Sequence, residues 1–139
     1  MKCEIIIDKD CEEKVVVYAK EHKPLIDEIQ RLVSQELIGY RENEAVKLRP
    51  SEITCITVIG NKVYALREQE RYLLKERLYY YEERLRDFVK INQSCLANIR
   101  QMERFDTSIS GTLKIHFIDG YVDYVSRRQL KTIKERIGI

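Results

Sequence analysis

The sequence predicts a mainly β fold with short helices, in the α+β class, preceded by a small β-β-α extension. Many short runs are rich in β-branched residues, and two-residue turn signals join several of them, as at Gly60-Asn61 and Asp119-Gly120. Only three stretches have helical spacing. The 139 residues, 44% of them hydrophobic, are enough for one ordinary domain with a small appendage.

The first 37 residues are interpreted as the extension, and residues 38–139 as the main domain. Residues 2–8 and 14–19 are predicted strands, because both are rich in β-branched residues and a polar stretch separates them. Residues 24–36 are a predicted helix with Pro24 in its first turn. Its apolar stripe is formed by Leu25, Ile26, Ile29, Leu32 and Val33.

The main domain begins with short strands and turns. Strands are predicted over residues 45–49, 53–59, 63–67 and 70–75. A short helix is predicted over 77–86. The tyrosines Tyr79, Tyr80 and Tyr81 in this helix suit packing, and base stacking, including binding of RNA, is the alternative.

The rest of the domain contains a predicted strand over 88–91, a loop over 92–94 and a helical turn that runs to about residue 98. Residues 112–118 and 121–125 form the clearest predicted hairpin, because Asp119-Gly120 is a two-residue turn signal.

The last predicted helix covers residues 126–137. Ser126 and Gln129 have the spacing of a capping box, and Gly138 stands where a helix usually ends. Arg127 and Arg128 then fall in the first turn, where the helix dipole disfavours cations. A bound anion would offset that cost. The alternative is a pair of solvated arginines.

Charge and composition exclude several classes of protein. The formal net charge is only +2, but residues 1–40 contain 6 basic and 9 acidic side chains, and residues 41–139 contain 19 and 14. This asymmetry favours a polyanion partner, with chance as the alternative. No apolar run approaches the roughly 20 residues that span a bilayer. No signal peptide is expected, because the first residues lead directly into a predicted strand. A cytoplasmic location is expected.

The sequence offers no chemistry for an enzyme. His22 and His116 have no evident catalytic partner, and no phosphate-binding glycine motif is present. No cofactor, metal or small-molecule substrate is expected. The cysteines have no metal-site spacing and are expected to be buried thiols. They are Cys3, Cys11, Cys55 and Cys95.

Two motifs carry a resemblance to a known family. Residues 88–98 read Phe-Val-Lys-Ile-Asn-Gln-Ser-Cys-Leu-Ala-Asn, and residues 125–131 read Val-Ser-Arg-Arg-Gln-Leu-Lys after the hairpin. In order and separation they resemble the LytTR family, a group of bacterial DNA-binding domains often found as the output half of response regulators. The resemblance covers about residues 38–139.

The resemblance implies an elongated arrangement of small antiparallel sheets, with DNA read by loops in successive major grooves. It also implies paired direct repeats as sites. In the family's pattern Arg128 occupies the base-reading position, and a guanidinium can donate two bonds to guanine. Arg127 and Lys131 suit phosphate contacts. The implied DNA-binding residues are Asn61, Lys62, Asn92, Gln93, Ser94, Ser126, Arg127, Arg128 and Lys131.

Two differences from the family's usual pattern affect the expected function. Asn92-Gln93 replaces the usual His followed by Arg or Lys. This removes a cation but keeps amides that can pair with adenine N6 and N7, so the expected base preference is altered. No receiver domain fits in the first 37 residues, so the chain resembles stand-alone members, some of which a small membrane protein restrains.

The predicted protein is therefore a sequence-specific transcriptional regulator that binds double-stranded DNA, plausibly as a homodimer through residues 1–37. The alternative is a protein-interaction module that binds a membrane or cytosolic partner and has lost DNA binding.

Overall fold

The computed structural model describes residues 2–12, 14–34, 36–107 and 111–139, without the side chains of residues 31–34. The chain divides into two compact units, Met1–Val33 and Ser34–Ile139. The predicted boundary after residue 37 lies four residues beyond this division.

The first unit contains one helix, α1 (Pro24–Ser34), within the predicted range. The strands predicted over 2–8 and 14–19 are not formed among its described residues. Ile5, Ile6 and Ile7 are 82%, 79% and 90% exposed, so the described residues cover little of these β-branched side chains. Strand propensity reflects such packing more than an intrinsic backbone preference, so the run stays unpaired.

The second unit is built on two antiparallel sheets. Seven strands form the larger sheet, in the order β2-β1-β5-β4-β3-β7-β6, and three form the smaller sheet, in the order β10-β9-β8. The strands are β1 (Leu37–Arg41), β2 (Glu44–Leu48), β3 (Cys55–Ile59), β4 (Lys62–Arg67), β5 (Glu70–Leu74), β6 (Phe88–Asn92), β7 (Cys95–Asn98), β8 (Met102–Asp106), β9 (Leu113–Phe117) and β10 (Val122–Val125). The helices are α2 (Leu78–Arg84) and α3 (Leu130–Ile137).

Two hydrophobic clusters cover opposite faces of the larger sheet. The first joins Cys55 and Ile91 to Phe117 of the smaller sheet and Ile133 of α3. The second lies on the side of α2 and contains Leu48, Ile53, Ile56, Tyr72, Tyr81 and Leu96. Tyr81 is therefore a packing residue, as the sequence favoured. Tyr79, by contrast, is 62% exposed.

The burial of the cysteine thiols differs between the two units. Cys55 and Cys95 are buried, as predicted, whereas Cys3 and Cys11 are exposed and that part of the prediction is wrong. A hydrogen bond between the Cys55 and Cys95 side chains, together with burial, raises the pKa of the Cys95 thiol well above its ordinary value.

Three strands were not anticipated. The helical turn predicted up to residue 98 is wrong, because Cys95–Asn98 form β7, which pairs with both β3 and β6. All four residues of β7 are buried, and this tertiary packing overrides their local preference. The sequence also missed β1, which has Gly39 at its centre, and β8.

The last helix starts later than predicted. It begins at Leu130, and Gln129 is its N-cap without a side-chain hydrogen bond, so the capping box from Ser126 is not formed. Instead the backbone N–H of Gln129 donates to the carbonyl of Ser126, 3.0 Å away, closing a turn. Arg127 and Arg128 therefore lie in this turn, ahead of the first helical turn. The predicted end at Gly138 is confirmed by its left-handed φ of 83°.

Candidate nucleic-acid interface

Two of the predicted DNA-binding loops lie at the same end of the larger sheet. The turn Gly60-Asn61 follows β3, and β7 pairs antiparallel to β3 with Thr57 opposite Cys95. The turn before β7 therefore lies beside the turn after β3. The backbone N–H of Val58 donates to the carbonyl of Ser94, 2.8 Å away, and fixes this neighbourhood.

The third predicted loop is attached to the same end. The backbone N–H of Ser126 donates to the carbonyl of Ile91, 2.8 Å away, at the end of β6. Residues 126–131 consequently start beside the 92–94 turn. The structure thus brings together the loops that contain all nine predicted site residues.

Four cations occupy this end of the second unit. Lys62, Arg127, Arg128 and Lys131 are all exposed. Within the described ranges, no carboxylate lies within 4.0 Å of any of these four side chains. They are therefore free to meet an anionic ligand, and a guanidinium can form paired hydrogen bonds with a phosphate or a guanine.

Asn92 has a different role from the one the sequence suggested. Its Oδ1 accepts from the backbone N–H of Ser94 at 2.9 Å, and its Nδ2 donates to the carbonyl of Tyr124 at 2.9 Å. Nδ2 also lies 3.3 Å from Oδ1 of Asp123. The amide holds the loop in place and is not presented for paired bonds to adenine. Gln93, whose side chain is exposed, is the amide that faces outward.

The two serines of the site also contribute backbone bonds to its framework. The carbonyl of Ser94 accepts from Oγ1 of Thr57, 3.1 Å away, as well as from the strand β3 backbone. Ser94 is exposed and Ser126 half-buried. Hydroxyls in such loops are common donors to phosphate oxygens.

Sequence reasoning missed Tyr121 and Asp123. The Tyr121 hydroxyl donates to Oδ2 of Asp123, 3.2 Å away, while Oδ1 of the same carboxylate faces Asn92. Burial, together with the neighbouring Cys55 and Asp123 side chains, raises the pKa of Tyr121, so its hydroxyl keeps its proton and remains a donor. Alternation along β10 was an available signal, because it places Tyr121 and Asp123 on the same face as buried Val125.

Asn98, the last residue of the 88–98 motif, is also structural. It is buried, and its Nδ2 donates to the carbonyl of Ile53, 2.9 Å away. Its Oδ1 accepts from the backbone N–H of Arg100 at 3.0 Å. The motif therefore combines a fixed buried part with an exposed turn.

Comparisons with known proteins agree with this arrangement. The sequence profile of the LytTr DNA-binding domain matches residues 43–138. A Staphylococcus aureus (strain MSSA476) protein, named an uncharacterized HTH-type transcriptional regulator, is 30% identical over 100% of this chain and 99% of its own length. A protein of the same description from strain NCTC 8325 / PS 47 is 33% identical over 76% of this chain and 73% of its own.

A solved structure matches the fold. It is the LytTr DNA-binding domain of a Bacillus cereus protein described as a methyl-accepting/DNA response regulator, with a TM-score of 0.71. At 15% identity it covers 75% of this chain and 97% of its own. None of the helices in the described ranges is both long and apolar enough to cross a membrane. The mostly β fold and the sequence matches together place this chain in the LytTr DNA-binding domain family.

Proposed function

We propose that this DNA-binding domain acts as a sequence-specific transcriptional regulator that reads paired direct repeats through loops in successive major grooves. The observation that carries the proposal is a set of four exposed cations, at or directly after two of three adjacent turns at one end of the larger sheet, that have no ion pair among the described residues. The S. aureus relatives are named as transcriptional regulators, which supports the same function.

In this proposal the site residues divide into two roles. Arg128 reads a base, because its guanidinium is exposed on the turn before α3 and can donate two bonds to guanine O6 and N7. Gln93 reads a base from the neighbouring turn. Contacts to phosphates come from the remaining donors, of which Asn61, Lys62, Ser94, Arg127 and Lys131 are exposed and Ser126 is half-buried.

The first unit serves, in the same proposal, as the surface through which two copies associate on the paired repeats. Its exposed isoleucines at 5–7 and the exposed Val15 and Val16 support such a role, because apolar side chains are stabilised when a partner covers them. A small membrane protein that restrains the regulator would use the same surface. Light scattering of the full chain, with and without DNA, separates self-association from docking of a different partner.

Selection from random duplex DNA tests the function. The purified chain is expected to enrich a paired direct repeat at low salt, and sequencing gives the half-site spacing and hence the geometry of the two copies. Arg128→Ala is the matched variant, and it should lose the preference at one position in each half-site. If the folded parent enriches nothing, the DNA-binding proposal is wrong and the loops serve a protein partner.

A further inference from the structure

The two ends of the larger sheet differ in charge. At the end away from the candidate interface, turns and strand ends contain acidic side chains, and three arginines there are paired with carboxylates. Arg67 lies 3.7 Å from Glu52, Arg100 lies 2.9 Å from Asp87, and Arg41 pairs with Glu70. Most of the arginine charge at that end is therefore neutralised within the chain, and Arg71 instead lies 5.5 Å from the centroid of the Tyr64 ring.

The interface end has a row of lysines on one face of the sheet. Lys62 on β4 stands opposite Ile59, and Lys47 on β2 stands opposite Ile38 of β1. Between them lies β5, where Leu73 stands opposite both Tyr40 and Tyr64. Lys75 is two residues beyond Leu73, so the register places it in the same row as Lys47 and Lys62.

Side-chain contacts confirm the face on which Lys75 lies. Its Nζ is 4.7 Å from the centroid of the Tyr40 ring, and Tyr40 shares that face with Ile38. A cation over a tyrosine ring is held in place without being neutralised. The ring therefore restricts where Lys75 points and leaves its charge available.

No internal partner neutralises this row. Lys47, Lys62 and Lys75 are exposed, and in the part of the chain that the structure describes none of them has a carboxylate within 4.0 Å. Glu36 and Glu76 also lie near this end of the sheet, but neither forms an ion pair with the row. The contrast with the paired arginines at the other end indicates an anionic ligand from outside the chain.

The row continues the candidate interface in one direction. Neighbouring strands lie about 4.8 Å apart, so Lys47 on β2 is about 14 Å from Lys62 on β4, across β5 and β1. The turn at Gln93 and the turn with Arg128 lie on the opposite side of Lys62. Cations and donors thus follow the whole end of the sheet, over about 29 Å from β2 to β6, close to one turn of B-DNA at about 34 Å.

We propose that Lys47 and Lys75 bind phosphates of the DNA that flanks the sequence read by the three loops, on the side beyond Lys62. The proposal rests on the function proposed above and adds a contact area that the loops do not include. Lysine suits this role because its ammonium group acts as a point charge toward phosphate. Such contacts position a protein on the duplex and carry no sequence information.

A double variant, Lys47→Gln/Lys75→Gln, tests the proposal on two duplexes that contain a single half-site of the repeat enriched by the parent chain, so that one copy binds. One duplex is trimmed to that site, and the other has about ten additional base pairs on each side, one helical turn. Affinity is measured against salt concentration by fluorescence anisotropy. On the long duplex the slope of log affinity against log salt should become less steep by about 0.9 for each lost contact.

For two contacts, raising the salt from about 50 to about 200 mM should cost the double variant roughly tenfold less affinity than it costs the parent. At low salt the variant should bind the long duplex more weakly than the parent. The two proteins should bind the trimmed duplex equally and enrich the same sequence.

The matched control is Arg41→Gln/Arg100→Gln, which removes the same charge from the opposite end of the sheet and should leave both slopes unchanged. If the lysine variant keeps the parental slope on the long duplex while Arg128→Ala still loses base preference, the flanking contact is wrong and the proposed function stands. If the control lowers the slope as much, net charge explains the effect and the contact is also wrong. If the parent has no preferred DNA, both proposals fail.

Discussion

The amide of Asn92 donates to the carbonyl of Tyr124, 2.9 Å away, and this hydrogen bond joins the end of the seven-stranded sheet to the edge strand of the three-stranded sheet. Asp123 adds a second acceptor for the same amide. The turn that presents Gln93 is thus fixed by a residue on the other sheet. The position of the 92–94 turn therefore depends on how the two sheets pack.

Asp123→Ala tests that dependence. The variant leaves the Tyr121 hydroxyl and the Asn92 amide each short of one acceptor, so the 92–94 turn should be held less firmly. We expect weaker DNA binding and relaxed preference at the bases read by this turn, with the preference at the Arg128 position unchanged. Selection from random DNA measures both positions in one experiment. Equal relaxation at both would indicate general destabilisation instead.

Arg128→Ala and Lys131→Ala should differ in kind. Loss of a bidentate arginine should cost about 1–3 kcal/mol on the preferred site and little on other DNA. Loss of a phosphate contact at Lys131 should weaken binding on all sequences alike and reduce the salt slope by about 0.9. Titrations on the selected site and on a scrambled duplex distinguish the two. If Arg128→Ala lost the same affinity on both duplexes, the base-reading role of Arg128 would be wrong.

Gly39→Ala should destabilise the second unit. A Cβ at this position would lie 2.6 Å from Cδ1 of Leu48 and 2.6 Å from Cβ of Tyr72, inside a packed cluster. Overpacking of this kind typically costs about 1–3 kcal/mol. Gly60→Ala is the control, because its Cβ meets nothing within 4 Å and only the φ of +66° is strained. Urea denaturation compares them, and an equal or smaller loss at Gly39 would contradict the packing described here.

Ile133→Ala should loosen the attachment of α3. The side chain is fully buried against the cluster that joins both sheets, and truncating a buried isoleucine typically costs about 2–5 kcal/mol. Thermal unfolding measures the loss. Because the turn with Arg127 and Arg128 leads directly into this helix, DNA affinity should fall before the chain unfolds. If the variant bound DNA at low temperature with the same affinity as the parent, the position of the turn would not depend on the packing of α3.

Stability should decrease in alkaline solution. Burial raises the pKa of Tyr121 above its ordinary value of about 10, so the folded state holds this proton more tightly than the unfolded chain. The resulting stabilisation is complete below about pH 10 and is lost as the pH rises further. Tyr121→Phe should therefore flatten the decline in unfolding free energy above about pH 10. If the unfolding free energy of the variant decreased with pH as steeply as that of the parent, groups other than Tyr121 would be responsible.

The sequence predicted those elements that local chemistry specifies. The hairpins at Gly60-Asn61 and Asp119-Gly120 are confirmed, because these turns are set by the residues within them. The strand β7 was missed because its conformation depends on two neighbouring strands that are distant in sequence. The same reasoning explains the opposite error at residues 2–8, where suitable side chains lack a neighbouring strand within the described residues.

In the candidate site, too, some features follow from local sequence and others depend on tertiary structure. Motif resemblance indicated which loops to examine, and sheet topology brings those loops to one end. The holding role of Asn92 depends on a hydrogen bond to β10, which no spacing within residues 88–98 encodes. Likewise, the row formed by Lys47, Lys62 and Lys75 becomes visible only when the strand order and register are known.

Complete burial of Cys95–Asn98 has a consequence for how binding preference can diverge among related chains. These four residues pack against both neighbouring strands, so most substitutions in them would destabilise the fold before they changed which DNA sequence is bound. Gln93 and Arg128, which are exposed on turns, are under no such restriction. Two proteins with the same buried half of the motif can therefore regulate different genes. A sequence search with that half identifies the fold but does not identify the DNA sequence that is bound.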